Sequence, residues 1–284
     1  MPNPLIEVRD LTIRFAKRAG SGKPAVEGVS WVMERGRGLA VVGESGSGKS
    51  VSALALTRLL PEPPAVYDSG EILLEGRDVR KMNEDELRAV RGGKIGYIFQ
   101  EPATSLNPVF TLRSQIGEAL RLHRPDVAPP ARDAEIIRWL DRVGIVNPAE
   151  RLSAYPHELS GGMQQRAMIA MALCAQPALL IADEPTTALD VTVQAEIMKL
   201  LRDLKEQLGM SVLLITHNFG IIRGLADEVA VMFRGKIVER GPTESVLRDP
   251  QHPYTRALID CIPRLGAKRE RLATIGHDAL EKAI

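Results

Sequence analysis

Residues 43–50 read GESGSGKS and follow directly on the apolar run Leu-Ala-Val-Val at 39–42. A short continuous apolar run suits a strand buried on both faces of a parallel sheet. Residues 50–60 continue as a helix, which the prolines between Pro61 and Pro64 stop. The spacing of Gly43, Gly48, Lys49 and Ser50 is G-x-x-x-x-G-K-[ST]. It turns successive backbone N–H groups toward one point and makes a nest for phosphate oxygens. The helix start at Lys49-Ser50 adds partial positive charge. Lys49 is placed to reach the β- and γ-phosphates of a nucleotide, and the Ser50 hydroxyl to bind magnesium. A Gly/Ser-rich turn that binds nothing would have the same composition. The strand before it and the helix after it favour the phosphate reading.

A second apolar run, residues 179–182, ends in Asp183-Glu184. Ligands of open α/β sheets sit beyond the carboxyl ends of strands, where an acid such as Asp183 can hold magnesium through water. Glu184 is adjacent, so it points elsewhere and can reach a water in line with the γ-phosphate, the place of a general base. Further upstream, residues 159–166 read LSGGMQQR. Glycines at a helix start leave N–H groups open to an anion, and Ser160 is also a good N-cap.

The strands expected first are around Ile6 to Phe15, residues 25–33 and residues 71–74. Between about residues 100 and 177 the strand signal fades. There Leu112, Ile116 and Leu120 mark one helix, and Ile136, Ile137, Leu140 and Val143 another. The core resumes at 179–182. A helical stripe then follows through Ile197, Leu200, Leu201, Leu204 and Leu208, stopped by Gly209. Residues 212–216 form a strand, and residues 229–233 and 236–238 a hairpin. The expected architecture is α/β: a P-loop NTPase (RecA-like) core with an antiparallel β subdomain and an inserted helical subdomain. The expected domains are a nucleotide-binding domain over residues 1–250, its helical subdomain at about 101–177, and a short C-terminal tail over 251–284.

The net charge of +1 over 284 residues gives no broad electrostatic footprint for nucleic acid. Cys174 and Cys261 are too few for a disulfide framework. The start MPNPLIEVRD shows no signal peptide, and the apolar runs are too short to cross a bilayer. His123 and His277 stand in polar, exposed stretches and His157 just before the serine-glycine-glycine turn; no pair has metal-ligand spacing.

Taken in order, GESGSGKS, FQEP at 99–102, LSGGMQQR, LLIADEP at 179–185, ALD at 188–190 and ITHN at 215–218 resemble the motifs of ATP-binding-cassette (ABC) ATPases. The similarity runs over residues 6–246. It implies ATP as the nucleotide and Mg²⁺ as the ion. The nucleotide contacts would be Gly43, Glu44, Ser45, Gly46, Ser47, Gly48, Lys49, Ser50 and Val51. Phe15 would stack on adenine, although its place in the Leu11/Ile13 alternation suits a core residue equally well. Gln100 would contact magnesium and the attacking water. Ser160, Gly161 and Gly162 would bind the γ-phosphate held by an opposing subunit. Asp190 would cross that dimer interface, and His217 would sense the γ-phosphate. Met163 replaces a common glutamine and Asn218 a common aspartate; neither removes a phosphate contact.

The longer stretches, with HPYTRALI at 252–259, resemble the ATPase subunits of oligopeptide, dipeptide and nickel importers. That resemblance implies a second ATPase subunit, two transmembrane permeases and, indirectly, an extracytoplasmic solute-binding protein. It places the chain peripherally, on the cytoplasmic face of the plasma membrane, with residues 104–120 docking a permease helix. The end at Ile284 argues against an iron–sulfur cluster or a regulatory domain. The alternative is a soluble cassette ATPase working on nucleic acid or ribosomes, which one cassette, no heptad run and a near-neutral charge disfavour.

Overall fold

A computed structural model describes residues 4–16, 22–187 and 189–261. His277, Ala188 and most of the expected tail lie outside these residues. The strands are β1 (Ile6–Phe15), β2 (Val26–Met33), β3 (Gly38–Val42), β4 (Ala65–Leu74), β5 (Arg77–Asp78), β6 (Ile95–Ile98), β7 (Leu179–Asp183), β8 (Ser211–Thr216), β9 (Glu228–Phe233) and β10 (Lys236–Pro242). The helices are α1 (Lys49–Ala55), α2 (Glu84–Val90), α3 (Pro102–Ser105), α4 (Leu112–His123), α5 (Arg132–Arg142), α6 (Pro148–Arg151), α7 (Gly161–Leu173), α8 (Val191–Leu208), α9 (Thr243–Arg248) and α10 (Pro253–Asp260). The chain divides into two compact units, one of Met1–Arg80 with Leu213–Ile284 and one of Lys81–Val212.

The first unit carries the expected antiparallel β layer, in the order β2-β1-β4-β5. Leu11 and Ile13 are buried on β1, while Phe15 is half-buried and pairs with Ala65. The strands β10, β9, β3 and β8 follow one another in a second sheet. There β3 and β9 run parallel, with Val42 opposite Val231. Every residue of β3 and β8 is buried, as the continuous apolar runs require. The strand before Leu74 starts earlier than expected, at Ala65, because β4 pairs along nearly all of β1.

Helix α1 ends at Ala55 instead of near residue 60. Arg58 takes a left-handed backbone, φ 49°. Its N–H donates to the Ala55 carbonyl and that of Leu59 to the Leu54 carbonyl, at 3.1 and 3.0 Å. These two bonds close the helix in a Schellman turn that no glycine announces.

In the second unit β6 and β7 are parallel, with Tyr97 opposite Ile181. Between them, residues 101–177 hold only helical elements among the described residues. Leu112, Ile116 and Leu120 are fully buried on α4, and Ile136 and Leu140 on α5, whereas Ile137 is half-buried. Helix α7 buries Ala167, Met168, Ile169, Ala170 and Leu173, nearly all round, as a core helix does. On α8 the stripe is Ile197, Met198, Leu201 and Leu204, with Leu200 and Leu208 only half-covered, and Gly209 closes it at φ 61°. His123 is half-buried rather than exposed. Its ring lies over Gly92 and Gly93, and burial pushes its pKa down. Cys174 and Cys261 are both free thiols. No described helix is long and apolar enough to cross a membrane.

Candidate functional site

The phosphate loop leaves β3 at Gly43 and enters α1 at Lys49. Two of its glycines are required by their surroundings. A Cβ on Gly43 would lie 2.2 Å from the Met232 carbonyl oxygen. One on Gly48 would lie 2.2 Å from the Ala25 carbonyl oxygen, at a backbone φ of 104°. The loop therefore lies directly on the backbone of β9 and of the segment before β2, and no side chain fits between. Gly46 and Gly48 both have positive φ, the kind of alternation that turns N–H groups inward to form a nest. Ser45 and Gly46 are exposed, Ser47 and Lys49 buried, and Glu44, Ser50 and Val51 half-buried.

Lys49 folds back over this loop. Its Nζ donates to the carbonyls of Gly43 and Glu44, each at 2.8 Å. The ammonium is thus held at the loop's mouth by neutral carbonyls, which a more strongly charged acceptor can displace. The Ser47 Oγ is buried without a hydrogen-bond partner, an orphan polar atom inside the cradle. In the same unit His217 is exposed immediately after β8. Asn218 follows it and accepts from the Gly220 N–H at 2.8 Å. An aspartate would make that turn equally well, so asparagine costs the backbone nothing here.

The second unit holds the acidic pair. Asp183 ends β7 and is 7% exposed. Its Oδ2 accepts from the Tyr97 hydroxyl at 3.1 Å. Burial, followed by the charge of Asp183, pushes the Tyr97 pKa up, so that phenol stays a donor. Glu184 has φ 49° and is half-buried. The reversal of backbone sends its side chain off the line of β7, where Oε2 accepts from Thr187 Oγ1 at 3.0 Å. Gln100 is exposed just beyond β6, and Phe99 beside it stacks on Tyr97 with centroids 4.3 Å apart.

The serine-glycine-glycine turn and the start of α8 lie side by side in this unit. Ser160 is exposed and N-caps α7, accepting from the Met163 N–H at 3.4 Å. That long bond is compatible with the hydroxyl also facing solution. Gly162 packs closely enough on α8 that a Cβ would come 3.0 Å from Val193 Cγ1. Asp190 is exposed and caps α8, its Oδ1 accepting from the Thr192 and Val193 amides at 3.0 Å each.

Sequence reading missed Tyr97, Thr187 and Tyr254. The last accepts the Glu44 N–H at 3.0 Å. Thr187 could have been found from its spacing to Glu184. Tyr97 and Tyr254 become visible only once strand pairing and the docking of α10 are known. No group of three or more His, Cys, Asp or Glu residues fit to hold a metal occurs among the described residues. The candidate ion ligands, a serine hydroxyl, one carboxylate and one amide, are a hard oxygen set. They fit magnesium, which is held by one or two carboxylates together with substrate phosphates.

Residues 26–187 match the family model "ABC transporter", and residues 238–282 match "Oligopeptide/dipeptide transporter, C-terminal region". The chain belongs to the ABC transporter family and is one of its ATP-binding cassettes. It is 56% identical over 92% of its length to the peptidoglycan transport ATP-binding protein YejF of Agrobacterium fabrum, and spans 47% of that protein. It is 47% identical over 95% of its length to the oligopeptide transport ATP-binding protein OppD of Bacillus subtilis, spanning 75% of it. The chain thus covers about half the length of the first of these relatives and three quarters of the second. Among solved structures, a dimeric ATP-binding cassette in a post-hydrolysis state, bound to ADP and phosphate, superposes with a TM-score of 0.73 at 26% identity. The match covers 84% of this chain and 98% of that one. The cassette fold expected from the motifs is therefore the fold of this chain.

Proposed function

We propose that this chain is the ATP-hydrolysing subunit of an importer for peptides or a related small solute. It would work with a second cassette subunit and two permeases at the cytoplasmic face of the membrane. One observation carries the reading: a phosphate loop with its lysine in place shares a chain with a region matching the oligopeptide/dipeptide transporter C-terminal model. That pairing favours transport over work on nucleic acid or ribosomes.

The roles follow from the side chains. The N–H groups of residues 43–51 cradle the phosphates, and Lys49 moves its ammonium from the Gly43 and Glu44 carbonyls to the β- and γ-phosphates. Phe15 stacks on the adenine. Ser50, Asp183 and Gln100 would hold Mg²⁺, which would supply charge neutralisation on the phosphates. Glu184 takes a proton from the attacking water as that oxygen bonds to the γ-phosphorus. The bond to the bridging oxygen breaks, and ADP and phosphate leave. His217 and Gln100 orient the water and the γ-phosphate. Ser160, Gly161 and Gly162 meet the γ-phosphate of ATP held by the second subunit, with Asp190 at that interface. ATP then favours the closed pair, because only the closed state offers its γ-phosphate both surfaces.

The test is calorimetry with MgATP, followed by co-expression with the neighbouring permease genes and uptake assays. The wild type should bind ATP, and Lys49→Ala should lose tight binding. Equal affinity in the two would refute the loop assignment. Uptake of short peptides supports the peptide reading, whereas uptake of nickel alone would replace it. Ribosomes or DNA as the only copurifying partners would overturn the importer.

A further inference from the structure

The residues just past the paired ends of β3 and β9 meet a third element. Val42 lies opposite Val231, so Glu44 and Phe233 each stand two positions further on. Tyr254, in α10, sits on both. It is fully buried, its ring centroid is 4.3 Å from that of Phe233, and its hydroxyl accepts the Glu44 N–H at 3.0 Å. The same Glu44 residue offers its carbonyl to Lys49 Nζ. The first peptide groups of the phosphate loop are therefore held from one side by the loop's own lysine and from the other by α10.

Helix α10 is itself firmly tied to the sheet. The amides of Gln251 and His252 donate to the Glu239 carboxylate on β10 at 2.7 and 3.0 Å. His252 then caps the helix, accepting from the Tyr254 N–H at 3.2 Å. Tyr254 lies within residues 238–282, the stretch matching the transporter C-terminal model. Burial pushes its hydroxyl pKa up to about 12, so no phenolate forms beside a bound triphosphate.

We propose that Tyr254 is a positioning residue for the phosphate loop, and that α10 thereby sets the shape in which the loop receives ATP. This rests on the ATPase reading above. When Lys49 turns to the phosphates it gives up the Glu44 carbonyl, which keeps the Ser47 N–H at 3.2 Å within the loop, and Tyr254 remains the tie from that residue to α10. Its contribution is therefore larger in the loaded state than in the empty one, which makes it visible in affinity.

The test is Tyr254→Phe in the full chain, which removes the hydroxyl and keeps the ring against Phe233. MgATP should bind about three- to tenfold more weakly by calorimetry, the worth of one hydrogen bond. The KM for ATP should rise in parallel, with kcat at saturation within about twofold. A lower melting temperature with an unchanged Kd would mean a purely structural role and would overturn the proposal. Hydrogen exchange at the Glu44 amide of the nucleotide-free wild type is a second test that needs no variant. A protected amide supports the link and a freely exchanging one removes it. A wild-type chain that fails to bind MgATP refutes the ATPase reading, whereas a wild type that binds beside an unaltered Tyr254→Phe refutes only the anchor.

Discussion

At the scale of single residues, Glu184 is defined by its backbone. A left-handed φ costs a residue with a side chain roughly 1–2 kcal/mol, and here it falls at the carboxyl end of β7. That turn separates two adjacent acids, leaving Asp183 under Tyr97 and sending Glu184 to Thr187. Glu184→Gln keeps the shape and removes the carboxylate proposed as the base. Phosphate release should fall by about a hundred- to ten-thousandfold, while ATP affinity persists and gel filtration with ATP shows a lasting dimer. Wild-type release from that variant would remove Glu184 from the chemistry. Tyr97→Phe tests the neighbouring acid differently. It takes a donor from a buried carboxylate and should lower stability by about 1.5–3 kcal/mol in urea unfolding; an unchanged midpoint would show that the Tyr97 hydroxyl does not support Asp183. The places of Asp183 at a strand end and of Lys49 at a helix start were legible in the sequence, because spacing and a preceding apolar run define them. Tyr97 was not, because its partner is 86 residues away in sequence and only the β6–β7 pairing joins them.

At the scale of elements, the starts of α7 and α8 place capping side chains at the positions proposed to meet the γ-phosphate and the dimer interface. Ser160 and Asp190 are both N-caps, and both are exposed. A capping side chain satisfies only one or two of the N–H groups a helix start leaves open, so the others remain available to an anion. Asp190→Ala should cost about 1 kcal/mol of stability through the lost cap. Asp190→Asn, an equally good cap, should restore it. If the asparagine variant regains stability but not ATP-driven dimerisation, the carboxylate acts at the interface. If the two properties return together, the residue is only a cap. The elements themselves were largely readable: fully buried strands announced themselves as apolar runs, and α4 through its four-residue repeat. The end of α1 was not, because its left-handed residue is Arg58 rather than a glycine. Nor was the early start of β4, which depends on its partner β1.

At the scale of the whole molecule, the surface that should meet the permeases is the segment joining α3 to α4. Val109 is 71% exposed and Phe110 50%, an apolar pair that folding alone does not explain. The loop beneath them is nevertheless tightly ordered. Gln115 accepts from the Asn107 N–H at 2.8 Å, and its Nε2 donates to the carbonyls of Asn107 and Phe110 at 3.0 and 2.8 Å. One side chain thus fixes both ends of the turn, so that Val109 and Phe110 are presented in a set conformation. Holding apolar groups rigidly in water lowers the entropy cost of a later contact, which suits a docking surface better than a solvated loop. Residues 104–120 are also where the family resemblance places the permease helix. Replacing Phe110 with serine should leave MgATP affinity of the isolated chain unchanged, because the phosphate loop and its lysine are untouched. The same substitution should abolish copurification with the permeases and, with it, solute-stimulated hydrolysis. Gln115→Leu, which keeps both apolar side chains but unties the turn, should weaken copurification by a smaller factor. Full recovery of the permeases with Phe110→Ser would show that this surface is not where the cassette meets them.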